Sequence, residues 1–217
     1  MMQLYFSPGT ASLAPHFLLE ELSLPFELVL VDTDKKEHQQ EAYLKLNPKG
    51  KIPLLVDGDL YLTESAAICL YLADNYAKDT EHQHFSAALG SGSRAHLYKW
   101  MLYLSNTLQA ELMTYFYPER QLEAPELAAQ LKTSAENRVA GMLNFIDDSL
   151  SKSEGEFLLG EHLSVADLFM FMLGRWTRGM HKPARAYPHL GPYMDNLYQR
   201  SSIQRAFKNE GLSAPFY

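Results

Sequence analysis

Cysteine is nearly absent from this chain of 217 residues: Cys69 stands alone, which excludes an intrachain disulfide and any multi-cysteine metal site. It lies in the apolar periodic segment SAAICLYLADNY, a setting for core packing rather than thiol chemistry. Long apolar runs are missing as well; none approaches the roughly 20 residues a helix needs to cross a bilayer. The opening MMQLYF has no charged leader followed by a long apolar stretch. It reads as a first β-strand rather than a signal peptide, and a cytoplasmic location is expected. Positive charge is scarce: 19 Lys and Arg against 26 Asp and Glu leave a net −7. That balance disfavours nucleic acid and anionic membranes as partners but leaves room for a locally positive pocket for a small anion. The eight histidines include no pair one helical turn apart beside a carboxylate, so no metal is expected.

What is present divides the chain in two. The first half alternates strand and helix signals. Met2–Phe6 is a short apolar run ended by Ser7-Pro8-Gly9, a turn signal. Leu13, Phe17, Leu18 and Leu22 then recur at near-helical spacing. A second strand is expected over Phe26–Val31, and a weak helix in the charged stretch that ends at Asn47-Pro48. Ile52–Val56 and Leu60–Leu62 flank Asp57-Gly58-Asp59, a hairpin signal, and a helix from about Glu64 to Asn75 follows. The order β-α-β-α-β-β-α predicts a mixed four-stranded sheet covered by helices.

Residues 77–93 are polar, with Gly90 and Gly92, and read as a linker. Beyond them strand signals vanish. Helices are expected at about Arg94–Tyr115, Glu126–Ser151, Ser164–Arg178 and Leu190–Arg200, with a short one near Ile203–Asn209. Ser164-Val165-Ala166-Asp167 has the spacing of a capping box, a structural device. The domain expectation is therefore residues 1–78, a linker at 79–93, and an all-helical domain at 94–217.

Three segments of the first half have chemical potential. The turn Ser7-Pro8-Gly9-Thr10-Ala11-Ser12 opens a helix, where free N–H groups favour an anion. Thr10 and Ser12 place hydroxyls there, just after Tyr5; a simple helix cap is the other reading of either one. Asn47-Pro48-Lys49-Gly50-Lys51-Ile52-Pro53 puts a proline at a strand start. A cis bond there exposes the preceding backbone N–H and C=O to an extended peptide, and an ordinary turn is the other reading. Thr63-Glu64-Ser65 sets a carboxylate and a hydroxyl at a helix start, suited to a ligand with both an amine and a carboxylate, or simply to capping.

Together these segments resemble the glutathione transferase superfamily over nearly the whole chain. YFSPGTASLAPH, NPKGKIP, LTESAAICLYLAD, SVADLFMF, RWTRG and FKNEGL look like the bacterial beta class in order and spacing. The resemblance implies a thioredoxin-like α/β N-terminal domain that binds glutathione as co-substrate and an all-α C-terminal domain that holds the electrophile. Thr10 belongs to the expected glutathione site. Ile52 before cis-Pro53 would pair with the cysteinyl part of glutathione, Glu64 and Ser65 with its γ-glutamyl end, and Lys36 or Lys35 with its glycyl carboxylate. It also implies a cytoplasmic homodimer engaged in detoxification. The chain departs from the beta-class pattern at Ala11, where a cysteine is usual, and at Gln109, where a histidine is usual. Thiol–disulfide exchange at position 11 is thereby excluded.

Thiol activation then falls to Ser12, with Tyr5 and Thr10 as the hydroxyls behind it and Tyr5 the first alternative. A thiol near pKa 8.5 is only a few per cent thiolate at pH 7, and lowering it by about 2 units takes roughly 2.7 kcal/mol. One hydrogen bond to charged sulfur, on the order of 1.5–3 kcal/mol, supplies most of this. A helix N-terminus adds up to about 1 kcal/mol. The expected electrophile pocket is drawn from Gln109, Met113, Phe116 and Trp176, in a neighbourhood that includes Leu112, Tyr115, Tyr117 and Arg175. The expected activity is conjugation of glutathione thiolate to small hydrophobic electrophiles. A non-catalytic glutathione-binding protein and a glutathione-dependent peroxidase or dehalogenase are the other readings.

Overall fold

The structure, a computed structural model, describes residues 1–77, 80 and 82–217. It divides into two compact units, Met1–Ser86 with Tyr198–Phe216, and Ala87–Leu197 with Tyr217. The domain boundary expected at residues 78 and 79 lies outside the described residues.

The first unit is built on a four-stranded sheet in the order β2-β1-β3-β4, with β1 at Met2–Phe6, β2 at Phe26–Leu30, β3 at Leu54–Asp57 and β4 at Leu60–Thr63. β1 and β2 run parallel, while β3 is antiparallel to both β1 and β4. The mixed sheet expected from the order of elements is thus present. Burial alternates along β1, with Met2, Leu4 and Phe6 buried and Gln3 and Tyr5 half-buried, as a strand covered unequally on its two faces requires. On the even face Phe6 meets His16 of α1 (Leu13–Glu21), ring centroids 6.5 Å apart. On the odd face Tyr5 meets Tyr43 of α2 (Glu41–Leu44) at 6.0 Å. Val31 and Leu54 complete that smaller core. β3 starts at Leu54, two residues later than the sequence pattern suggests, because Pro53 has no N–H to give the ladder. The charged stretch folds as a short 3₁₀ turn, Glu37–Gln39, followed by the one-turn α2.

α3 (Ser65–Tyr76) and α9 (Ser201–Asn209) both pack against α1. Arg200 binds Glu21 through Nε at 3.1 and 3.2 Å, with further bonds from the Arg200 guanidinium and Ser202. Arg205 and Asn209 hold Glu20 at 2.7 and 2.9 Å. The last helix is therefore part of the sheet-bearing unit, a placement that hydrophobic periodicity does not reveal.

The second unit is helical: α4 (Gly92–Tyr103), α5 (Ala110–Phe116), α6 (Ala128–Ser151), α7 (Val165–Trp176) and α8 (Leu190–Tyr198, whose final residue belongs to the first unit). Ser91 caps α4, its hydroxyl accepting the Arg94 N–H at 3.1 Å. α7 is buried from Val165 through Arg175, as its nearly unbroken apolar sequence demands. The expected capping box closes its start. The Asp167 carboxylate accepts from Ser164 N and Leu158 N at 2.8 Å and from the Tyr193 hydroxyl at 2.8 Å. At Gly174 a Cβ would lie 2.6 Å from Met194 Cε, so a larger residue there would push the Met194 side chain of α8 aside. The helix expected as one piece over Arg94–Tyr115 contains a π-helical segment, Leu104–Gln109. Ser105 Oγ donates to the Met101 carbonyl at 2.7 Å, a side-chain bond that competes with the helical ladder.

Candidate functional site

Strand register brings the three singled-out segments of the first unit to one sheet edge. Tyr5 pairs with Leu54 across β1 and β3, so one step further Phe6 and Ser7 stand opposite Pro53 and Ile52. Leu54 also pairs with Thr63 across β3 and β4, which sets Pro53 and Ile52 opposite Glu64 and Ser65. β2 ends at the same edge because it runs parallel to β1. The loop that follows it is tied to the turn by Ser7 Oγ and Thr33 Oγ1, 3.2 Å apart. The Ile52–Pro53 peptide bond is cis.

The turn itself is a compact hydroxyl cluster. Thr10 Oγ1 donates to the Ser7 carbonyl at 2.7 Å, Ser12 Oγ lies 3.2 Å from the same oxygen, and the two hydroxyls are 3.0 Å apart. Ser12 has helical dihedrals (φ −72°, ψ −18°) and its side chain does not cap α1. The free N–H groups of that helix end are left without a side-chain partner from Ser12. Ser12 is completely buried, whereas Thr10 is half-buried. Of the two, Thr10 is the hydroxyl with surface to offer a ligand, and Ser12 stands behind it. Tyr5 points into the core beside Tyr43, on the α2 face of the sheet.

A buried carboxylate holds this turn from far along the chain. Glu210 accepts the Gly9 N–H at 2.8 Å through Oε2 and pairs with His16 Nδ1 at 2.8 Å through Oε1. His16 and the Glu210 side chain are both fully buried. Glu210 lies in the FKNEGL segment, and only the fold brings it to a turn 201 residues away.

Glu64 and Ser65 start α3. Glu64 has the strained dihedrals φ 69°, ψ 111° and gives its helix no side-chain cap. The N–H groups at this helix start are likewise not taken by the Glu64 side chain. The Glu64 carboxylate is exposed and paired with Lys49 Nζ at 3.0 Å, a partner the sequence did not suggest. Ser65 is buried. Lys36 is exposed at φ 56° in the loop after β2. Its neighbour Lys35 is committed to Asp32 at 2.8 Å, and that pairing holds the Lys35 ammonium pKa above its ordinary value.

In the second unit, Gln109, Met113 and Phe116 share one face of the helix by their spacing of four and three residues. Phe116 meets Trp176 edge to face, centroids 6.3 Å apart at 83°. Met113, Phe116 and Tyr117 are exposed, while Leu112 and Tyr115 turn into the core. Arg175 is buried as well. The Arg120 guanidinium lies 3.8 Å over the Tyr117 ring, a stacked cation that sequence spacing did not suggest.

Comparison with known proteins decides the family. Residues 1–74 match the family described as Glutathione S-transferase, N-terminal domain, and residues 99–210 match Glutathione S-transferase, C-terminal domain. The chain belongs to the glutathione S-transferase family. It is 30% identical over 214 residues to Glutathione S-transferase GstA of Escherichia coli O157:H7, covering 97% of this chain and 100% of that one. Among solved structures it resembles a Sulfitobacter glutathione transferase homologue with bound glutathione, at TM-score 0.86 and 28% identity over 98% of this chain and 99% of that one. A sphingomonad glutathione S-transferase complexed with glutathione superimposes at TM-score 0.83 and 32% identity over 97% and 100% of the two chains. The thioredoxin-like sheet and the helical second unit are the architecture of that family.

Proposed function

We propose that this glutathione transferase ionises the thiol of glutathione at the Ser7–Ser12 turn and delivers the sulfur to a small hydrophobic electrophile. The observation that carries the reading is the hydroxyl cluster at the start of α1, on the sheet edge shared with Ile52 and Glu64-Ser65. Thr10 donates to the sulfur. To do so Thr10 turns its proton from the Ser7 carbonyl, which the fully buried Ser12 hydroxyl keeps satisfied at 3.2 Å. A hydrogen bond to a charged sulfur, on the order of 1.5–3 kcal/mol, then covers most of the roughly 2.7 kcal/mol that a 2-unit drop in thiol pKa requires.

The remaining roles follow the chemistry of the tripeptide. Backbone groups of Ile52, next to Pro53, pair with the cysteinyl residue in β fashion. Glu64 receives the γ-glutamyl amine, and Ser65 with the N–H groups of α3 receives its carboxylate. Lys36 serves the glycyl carboxylate. The sheet-bearing unit carries glutathione binding, and Gln109, Met113, Phe116 and Trp176 of the helical unit form the electrophile wall. The protein works as a cytoplasmic homodimer in detoxification. No described helix is long and apolar enough to cross a membrane.

The named relatives favour a transferase over a non-catalytic binder or a peroxidase or dehalogenase. The test is the ultraviolet thiolate absorbance of bound glutathione across pH. Thr10→Val and Ser12→Ala are each expected to raise the thiol pKa and to lower turnover tenfold or more. A pKa that stays depressed in both variants overturns the hydroxyl assignment, and a loss confined to Tyr5→Phe moves the role to Tyr5.

A further inference from the structure

The ion pair between Lys49 and Glu64 joins two side chains that are 66% and 68% exposed. Both ends start from well-held backbone. Asn47, buried beneath the turn, donates to the Lys51 carbonyl at 2.7 Å and accepts the Lys49 N–H at 3.1 Å. Gly50 is left-handed (φ 58°), and a Cβ there would lie 2.9 Å from the His38 carbonyl oxygen, so the chain is fixed just past Lys49. At the other end Glu64 starts from a left-handed backbone (φ 69°) directly before α3.

A lysine ammonium and the α-ammonium of an amino acid are alike in charge and donors: each has one positive charge and three N–H donors. We propose that Lys49 is a built-in stand-in for the ligand's α-ammonium. In the free protein it occupies Glu64, and a ligand with a γ-glutamyl amine binds by displacing it. The inference rests on the reading of Glu64 given above. An exposed ion pair is weak enough to give way to a ligand that is anchored elsewhere as well. Breaking it still subtracts from the affinity for glutathione. A ligand without the amine leaves the pair intact and incurs no such loss. Lys49 is therefore a specificity-setting residue that tempers the advantage of the amine.

Calorimetric titration of the full chain tests this with two probes, glutathione and its deamino analogue glutaryl-cysteinyl-glycine. Lys49→Met is expected to lower the Kd for glutathione about two- to fivefold and to leave the Kd for the analogue unchanged. In a Glu64→Gln background the same Lys49→Met change is expected to have no effect on glutathione. Circular dichroism confirms that each variant is folded. An unchanged or weaker Kd for glutathione in Lys49→Met overturns the inference, as does equal tightening toward both probes. The underlying site reading fails separately, and takes this inference with it, if wild-type protein shows no saturable glutathione binding or if Glu64→Gln binds glutathione undiminished.

Discussion

Glu64 shows most clearly what a single residue contributes. A side chain with a Cβ at φ 69° is in a region that glycine favours, and holding it there costs on the order of 1–3 kcal/mol. Nothing in the hairpin before it or the helix after it requires a carboxylate. The strained residue carries a charge at the sheet edge where the γ-glutamyl group is proposed to bind. Glu64→Gly should therefore relieve strain while losing the charge. Allowing for the greater freedom of glycine in the unfolded chain, the net gain is about 1 kcal/mol. The expected outcome is a raised thermal midpoint together with a glutathione Kd weakened at least tenfold; a lowered midpoint contradicts the strain argument. The sequence marked Glu64, Ser65, Thr10 and Ser12 because their types and places at helix starts are local signals. Which hydroxyl is accessible was not legible. That depends on α1 geometry reaching back through Ser12 and turning its side chain under the turn.

At the level of elements, the clasp between α1 and α9 is the feature that sequence patterns could not supply. The helix itself was legible from the spacing of Ile203, Ala206 and Phe207, all buried. Its partner was not, because nothing local to Glu20 and Glu21 ties them to the far end of the chain. In the folded protein, burial tends to raise the Glu21 pKa, but bonds from Arg200 and Ser202 outweigh it and the net direction is down from 4.5. The sign follows directly. A carboxylate whose pKa is depressed on folding contributes stability that is full above the unfolded value and is lost as pH falls through the folded one. Denaturant midpoints should thus decline as the pH is taken below about 4.5. Arg200→Met, which removes the partner that lowers Glu21, should flatten that part of the profile. An identical acid limb in both proteins would remove Glu21 as its source. The clasp also bears on the site, since Glu210 immediately follows α9 and fixes Gly9 in the hydroxyl turn.

For the whole molecule, the alternation of strand and helix signals followed by their complete change to helix made both architectures legible, because hydrophobic period is a property of each stretch by itself. The interruption of the long helix at Leu104–Gln109 was hidden, since its i→i+5 pattern is confined to one short segment inside an otherwise helical stretch. Assembly is likewise invisible to periodicity, yet the exposed surface bears on it. On α4, Tyr98 and Leu102 are one turn apart and 42% and 58% exposed, and Phe145 of α6, 45% exposed, lies against Tyr103. Single exposed apolar side chains are ordinary, but a cluster of large ones on adjoining helices suits a protein interface. The proposed homodimer is the simplest occupant, because a two-fold interface lets the same face cover itself. Leu102→Glu would place a charge in that face, and an unpaired charge at an interface core costs several kcal/mol. Sedimentation velocity at micromolar concentration should then find wild type as a dimer and Leu102→Glu as a folded monomer. The thermal midpoint of the wild type alone should rise with protein concentration, since association stabilises by mass action. A wild-type monomer at that concentration would remove the homodimer. A dimer unaffected by Leu102→Glu would place its interface on another face.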